Sequence, residues 1–159
     1  MPAIARTTCL ICGSQQLRAF LSLTERGTPH GAAGHQHVYD YTIIGVCADC
    51  EHGQLETFSH DCFSHPTDED WDMYWWYALA PADVDRLTAM TERCPDRLNA
   101  QCNCAVHRGL RESSGRLWGG VRHAVAVRPK AAFAWLRLQE SAESVTLTVD
   151  KEKGLGSAA

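Results

Sequence analysis

The chain has 159 residues, of which 45% are hydrophobic and 21% charged, with a formal net charge of -4. That balance describes a folded chain rather than a disordered one, and the length suits one ordinary domain or a small module fused to a second layer that shares its core. No run approaches the roughly 20 apolar residues of a membrane helix, and the first residues lack the apolar core of a signal peptide, so the expected compartment is the cytosol.

The first informative element is Cys9-Leu10-Ile11-Cys12, followed by Gly13. Its partner along the chain is Cys47-Ala48-Asp49-Cys50, followed by Gly53. Two Cys-x2-Cys pairs bring four thiolates to the spacing that a tetrahedral zinc ion accepts, and the glycines free the backbone to curl its amides toward the sulfurs. Between the pairs, residues 17–23 alternate like a strand, residues 24–36 carry the Gly and Pro of a loop, and residues 38–46 are rich in β-branched and aromatic side chains. Residues 53–59 alternate again. The order of knuckle, strand, loop, strand, knuckle and strand resembles a zinc ribbon over about residues 7–60, on the strength of Cys9, Cys12, Cys47 and Cys50. The resemblance implies a small three-stranded sheet clamped at one end by zinc. Zinc ribbons serve many unrelated roles, so it carries no activity with it. Four sulfurs leave no open coordination position, and such an ion folds a chain rather than catalyses.

The stretch His60-Asp61-Cys62-Phe63-Ser64-His65 admits several readings. Cys62 could be a nucleophile activated by His60 or His65, a further metal ligand, or a packed core residue. The histidines His30, His35, His37 and His52 could contribute to a labile metal site or simply be solvated.

Residues 65–70 form an acidic connection into residues 71–79, where Trp71, Trp75 and Leu79 share one side of a predicted helix and Asp68 or Asp70 would cap it. Pro81 begins the next segment, and residues 82–93 predict a second helix with Val84, Leu87 and Met90 facing inward. A third cysteine cluster follows. Cys94, Cys102, Cys104 and His107 supply three thiolates and one imidazole, the donors of a second closed zinc site, with His107 in the first turn of a helix over residues 105–113. The alternative is a set of buried free cysteines. Residues 121–127, 132–138 and 145–149 alternate as three strands, predicting a C-terminal meander, and the tail from Lys151 is polar and expected to fray.

Together these readings predict an α+β protein with an N-terminal zinc ribbon, short central helices and a C-terminal antiparallel β-meander. Its segments are 1–66 and 67–159, sharing one core and stapled by two zinc ions. Ligand thiolates need a reducing compartment. Arg outnumbers Lys twelve to three, a composition of GC-rich bacterial genomes.

Charge is unevenly distributed. Residues 27–85 contain eleven Asp or Glu and no Lys or Arg, while residues 86–137 contain ten Lys or Arg against three acids. Either the halves neutralise each other internally, or an acidic surface is reserved for a basic partner. On the second reading Asp68, Glu69, Asp70 and Asp72, beside the exposed anchors Trp76 and Tyr77, engage a basic protein, in one version a bacterial toxin neutralised by an immunity-type partner. The competing reading is a nucleic-acid-binding regulator using Arg108, Arg111, Arg116, Arg122 and Arg128. A thiol- or metal-dependent enzyme at Cys62 and His60 is a third. No Gly-rich phosphate loop, Gly-x-Ser-x-Gly elbow or zinc-deaminase pattern is present to support catalysis.

Overall fold

Four long strands follow one another along the chain: β1 (Leu17–Gly27), β2 (Gln36–Cys47), β3 (Gly53–Phe63) and β4 (Asp70–Leu79). The computed structural model describes residues 4, 6–27, 36–63, 70–115, 117, 123–124, 132–141 and 145–159; within these, the side chains of 36–38, 61–63, 70–72 and 123–124 lie outside the description. Two helices come next, α1 (Pro81–Thr91) and α2 (Ala105–Gly115). They are followed by β5 (His123–Ala124), β6 (Ala132–Glu140), β7 (Val145–Val149) and β8 (Leu155–Ser157).

Among the described residues, all eight strands belong to one mixed sheet, in the order β1-β2-β3-β4-β6-β7, with β5 on β4 and β8 on β6. This overturns the expected α+β arrangement of an N-terminal zinc ribbon, short central helices and a C-terminal antiparallel meander. The strands flanking the two knuckles do not stop at a three-stranded clamp but continue into β4 and β6. The C-terminal strands are likewise not a meander of their own. β6 runs parallel to β4, pairing Tyr77 with Ala134 and Leu79 with Leu136, and carries β7 and β8 antiparallel on its other side. A parallel pair needs a crossover, and the chain between β4 and β6, with α1 and α2, supplies it. Most of the strand expected over residues 121–127 lies outside the described residues.

The largest departure from the sequence reading is β4, expected as a helix. Positions 71, 75 and 79 share a side in a helix and in a strand alike, because a spacing of four fits both periods. The residues between them decide the matter. Trp75, Tyr77 and Leu79 are 2%, 1% and 1% exposed on one face, while Trp76 and Ala78 are 8% and 0% exposed on the other. A strand covered on both faces reads as a continuous apolar run rather than an alternating one.

One face of the sheet packs against the helices. Leu21, Leu23, Ile44, Leu55, Trp75, Tyr77 and Leu79 join Val84 and Leu87 of α1, Leu110 of α2 and Leu136, Leu138 and Leu147 in one cluster. The opposite face is covered near the knuckles by a second cluster of Leu10, Trp76, Ala78, Phe133 and Ala158. Glu56, at 0% exposure, is held on this face by the Tyr41 hydroxyl at 2.6 Å, Trp76 Nε1 at 2.9 Å and the Arg6 amide at 3.1 Å, so its carboxylate meets donors instead of hydrocarbon.

α1 starts on Pro81, whose fixed φ and missing N–H suit a first helical position. It docks where β3 begins. A Cβ added at Gly53 would lie 2.9 Å from Val84 Cγ2 and 3.1 Å from Leu79 Cβ. Gly53→Ala is therefore expected to push α1 off the sheet and lower stability by about 1–3 kcal/mol, measured as a shift in the urea midpoint at saturating zinc, with Val84→Ala restoring part of the loss.

Candidate metal centres

The two Cys-x2-Cys knuckles fold alike. In the first, the Cys9 amide donates to Ser14 O at 2.8 Å and the Gly13 amide to Cys9 O at 3.0 Å. In the second, the Cys47 amide donates to His52 O at 3.0 Å and the Glu51 amide to Cys47 O at 2.9 Å. Each closes through a left-handed residue four positions after its first cysteine, Gly13 at φ 74° and Glu51 at φ 63°. Gly13 thus has the conformational role expected of it, whereas in the second knuckle Glu51 takes that role and Gly53 serves close packing. The knuckles are tied together by the Ala48 amide to Gln16 O at 3.0 Å and by the Ser14 hydroxyl donating to the Asp49 carboxylate.

This closure gathers Cys9, Cys12, Cys47 and Cys50 so that their sulfurs all lie within 4.8 Å of one another. Cys9 and Cys50 Sγ are 3.5 Å apart, Cys12 and Cys47 Sγ 3.7 Å. Tetrahedral ligation with metal–sulfur bonds of about 2.3 Å requires sulfurs about 3.8 Å apart. The quartet has the donor type and the size for one thiolate-bound ion. Burial opposes ionisation of Cys47, but the Cys50 and Asp49 amides and the Cys12 and Cys50 thiols outweigh it and bring its pKa to about 7. Cys50 moves the other way, raised to about 12 by burial and by the thiols it faces.

The second quartet is built from the loop after α1 and the first turn of α2. Cys94 and Cys102 Sγ are 3.7 Å apart, and His107 Nδ1 stands 3.3 Å from both Cys94 and Cys104 Sγ. All four donors fall within 4.8 Å. His107 is fully buried, and its Nε2 lies 3.1 Å from the carbonyl of Ser22 on β1. A proton on Nε2, donated to that carbonyl, leaves Nδ1 with a free lone pair aimed at the sulfurs, the tautomer that ligation requires. The Cys104 thiol, resisted by burial but helped by the His107 amide and ring, is lowered to about 6. Cys94 is raised to about 11, burial again leading. A cleft of about 710 Å³ opens against this quartet, with Met90, Arg93, Val106 and Cys104 among its walls.

The same loop covers the free edge of the sheet. β1 is an edge strand, and its register on β2 slips between Ala19 and Leu21 and again between Ser22 and Thr24. Such bulges re-aim backbone groups. The Ser22 amide donates to Arg97 O at 2.9 Å, and Arg111 Nε donates to Leu23 O at 3.0 Å while its terminal nitrogen reaches Ala100 O and Cys102 O.

The other residues singled out in the sequence are placed differently. Trp76 and Tyr77, expected as exposed anchors, are buried on opposite faces, with Tyr77 Oη donating to Leu117 O at 2.9 Å. Asp70 and Asp72 lie on β4 opposite Cys62 and His60 of β3, and His37 lies opposite Cys62 on β2. Asp68, Glu69, His30, His35, His65, Arg116, Arg122 and Arg128 lie outside the described residues. His52 turns Nδ1 to Cys50 O, and Arg108 is exposed. Sequence reading missed the carbonyl of Ser22, the carboxylate of Glu56 and the alignment of the Tyr39, Tyr41 and Phe58 rings with Tyr74 on one face. Their signal was present as aromatic side chains two apart, at 39 and 41 and at 74 and 76, which places both on one face of a strand.

Metal analysis of the purified chain is expected to give two ions, and Cys47→Ser or His107→Ala to leave one each. Because raised thiols must lose protons to ligate, zinc addition to the metal-free chain at pH 7 should release protons, and apparent affinity should fall as pH is lowered. Release that is independent of pH would argue against thiolate ligation.

No helix among the described residues is long and apolar enough to cross a membrane. No known family, curated protein or solved structure matches the chain.

Proposed function

We propose that the chain is a non-enzymatic protein-binding module, stabilised by two zinc ions, that presents an acidic, aromatic-bearing surface to a basic protein partner. Zinc is the metal that fits best, since a set of four thiolates and a set of three thiolates with one imidazole both favour a soft, tetrahedral, redox-inert ion. Both sets are closed by four protein donors, which suits staples rather than catalytic ions.

The observation that carries the reading is where the acid-rich, base-free stretch sits. It supplies β2, β3 and β4, which are contiguous in the sheet, and the face they turn away from α1 and α2 bears the partly exposed rings of Tyr39, Phe58 and Tyr74. Among the described residues, internal neutralisation of this stretch reaches Asp40, Glu56 and Asp83 and is met by Arg26, Arg6 and Arg86. Arg26 pairs with Asp40, Arg86 with Asp83 and Glu140, and Arg137 with Asp150. Among the described residues, the ion pair that joins the basic stretch to the acidic one is Arg86–Asp83, made between neighbours within α1. Arg111, proposed from the sequence as a phosphate contact, is taken up by backbone carbonyls of this chain.

An acidic surface steers a cationic partner and sets the salt dependence of its capture. One concrete form of the function is neutralisation of a basic toxin, such as a nuclease, by covering its cationic cleft.

The test begins with cross-linking in the native host and continues with the purified partner. Its association rate is expected to fall at least several-fold between low and physiological salt, and to fall comparably when Asp68, Glu69, Asp70 and Asp72 are changed to Asn or Gln. A partner of neutral or acidic charge, or binding indifferent to salt and to those substitutions, would remove the reading.

A further inference from the structure

On the face opposite the helices, the register of β2, β3 and β4 aligns side chains in rows. Ile43, Glu56 and Trp76 form one row, Tyr41, Phe58 and Tyr74 the next, and Tyr39 and His60 lie beyond them, with Asp72 at the register position that completes the third. The rings touch in sequence. Trp76 stacks on Tyr74 at 5.6 Å, Tyr74 meets Phe58 at 4.7 Å, and Phe58 meets Tyr41 at 5.2 Å and Tyr39 at 6.2 Å. Tyr39, Phe58 and Tyr74 keep part of their surface open, while Tyr41 and Trp76 are buried. At the Tyr39 end the phenol donates to Glu25 Oε1 at 3.1 Å.

The chain itself shows what this face accepts. At the Trp76 end the Arg6 guanidinium lies over the indole, 5.9 Å from its centroid, and the Arg6 amide donates to the Glu56 carboxylate beneath. An aromatic face backed by a carboxylate is a site for a planar cation. Tyr39, Phe58 and Glu25 repeat that chemistry at the far end, where the His60 ring lies alongside Phe58 at 6.4 Å and the arginine and lysine contacts of the described residues fall on Trp76, Phe20 and Trp135 instead. The surroundings are electronegative: the Tyr39 phenol is pushed up to about 12, first by burial and then by Glu25 and Asp40.

We propose that the row Tyr39, Phe58 and Tyr74, with Glu25 at its end, is the docking site for an arginine-bearing segment of the basic partner, one guanidinium stacking on the rings as Arg6 does on Trp76. This deepens the binding-module reading and rests on it. Phosphate backbones are disfavoured by the carboxylates, and the stacking partner that matches both rings and charge is a guanidinium.

The zinc-loaded full chain would be titrated with the peptide acetyl-Gly-Arg-Gly-Arg-Gly-amide while aromatic ring signals are followed by NMR. Shifts centred on Tyr39, Phe58 and Tyr74 are expected, with binding weakened about tenfold by Phe58→Leu and about threefold by Glu25→Gln. Far-UV spectra and metal content should stay unchanged in both variants, and Tyr39→Leu, at the rim, serves if Phe58→Leu does not fold. The lysine analogue of the peptide should bind more weakly. Unshifted rings at millimolar peptide, equal affinity in the variants, or tighter binding of oligothymidylate to the same rings would overturn the proposal. If the native partner's affinity falls on neutralising the 68–72 acids but survives Phe58→Leu and Glu25→Gln, the ring site is refuted while the binding module stands. If no basic protein binds, both fail.

Discussion

The imidazole of His107 joins three parts of the chain. Its Nδ1 side faces Cys94 and Cys104, its backbone opens α2, and its Nε2 reaches the Ser22 carbonyl of the edge strand. Burial of such a ring is tolerable because both nitrogens have partners, one a carbonyl and the other a site for an ion. Alternate residues of an edge strand turn both N–H and C=O away from the sheet, and Ser22, paired with Ile43 between the two irregularities of β1, gives its amide to Arg97 O and faces His107 Nε2 with its carbonyl. α2 in turn delivers Leu110 to the main core, so the packing of the helix layer and the position of the second metal set are one arrangement described from two sides.

The first metal set acts on the opposite end of the same strand. It ends β2 and begins β3 through a knuckle whose closure is a backbone pattern shared with the knuckle preceding β1. Leu17 then pairs with Cys47, and β2 and β3 pair without interruption from Val46 and Gly53 to Gln36 and Phe63. A hairpin register follows from its turn. Here the turn is the Cys47–Cys50 knuckle, and the register of β2 on β3 that it closes sets Ile43 opposite Glu56 and Tyr41 opposite Phe58. The β2–β3 part of the aromatic face, Tyr41 beside Phe58, thus follows from where two cysteines stand, while the pairing of β3 with β4 adds Tyr74 and Trp76.

The metal quartets were legible in the sequence because ligand identity and spacing are local and chemically narrow. Cys9, Cys12, Cys47, Cys50, Cys94, Cys102, Cys104 and His107 needed only to be counted and grouped, and the structure gathers the same two groups. Both helices were readable too, from Pro81 and from the apolar spacing of Val84 and Leu87. β4 was not, since a strand buried on both faces loses the alternation by which strands are recognised. That error carried Trp76 and Tyr77 to the surface in the reading, when each is buried against a different layer. The parallel pairing of β4 with β6 and the ring row across β2, β3 and β4 depend on contacts between distant segments, which no local period reports. The bulges in β1 have the same character: nothing in Leu21-Ser22-Leu23 announces that a histidine 85 residues away will take its carbonyl.

The loop that carries the second donor set also covers part of β1. An edge strand is a template for adding another strand, and here its protection consists of the Arg97, His107 and Arg111 bonds to Ser22 and Leu23. Those bonds hold only while the loop from Cys94 to His107 keeps its shape. The four donors that could hold an ion and the groups that occupy the edge of β1 thus lie on one short stretch of chain, so whatever fixes that stretch also keeps this part of the ladder covered.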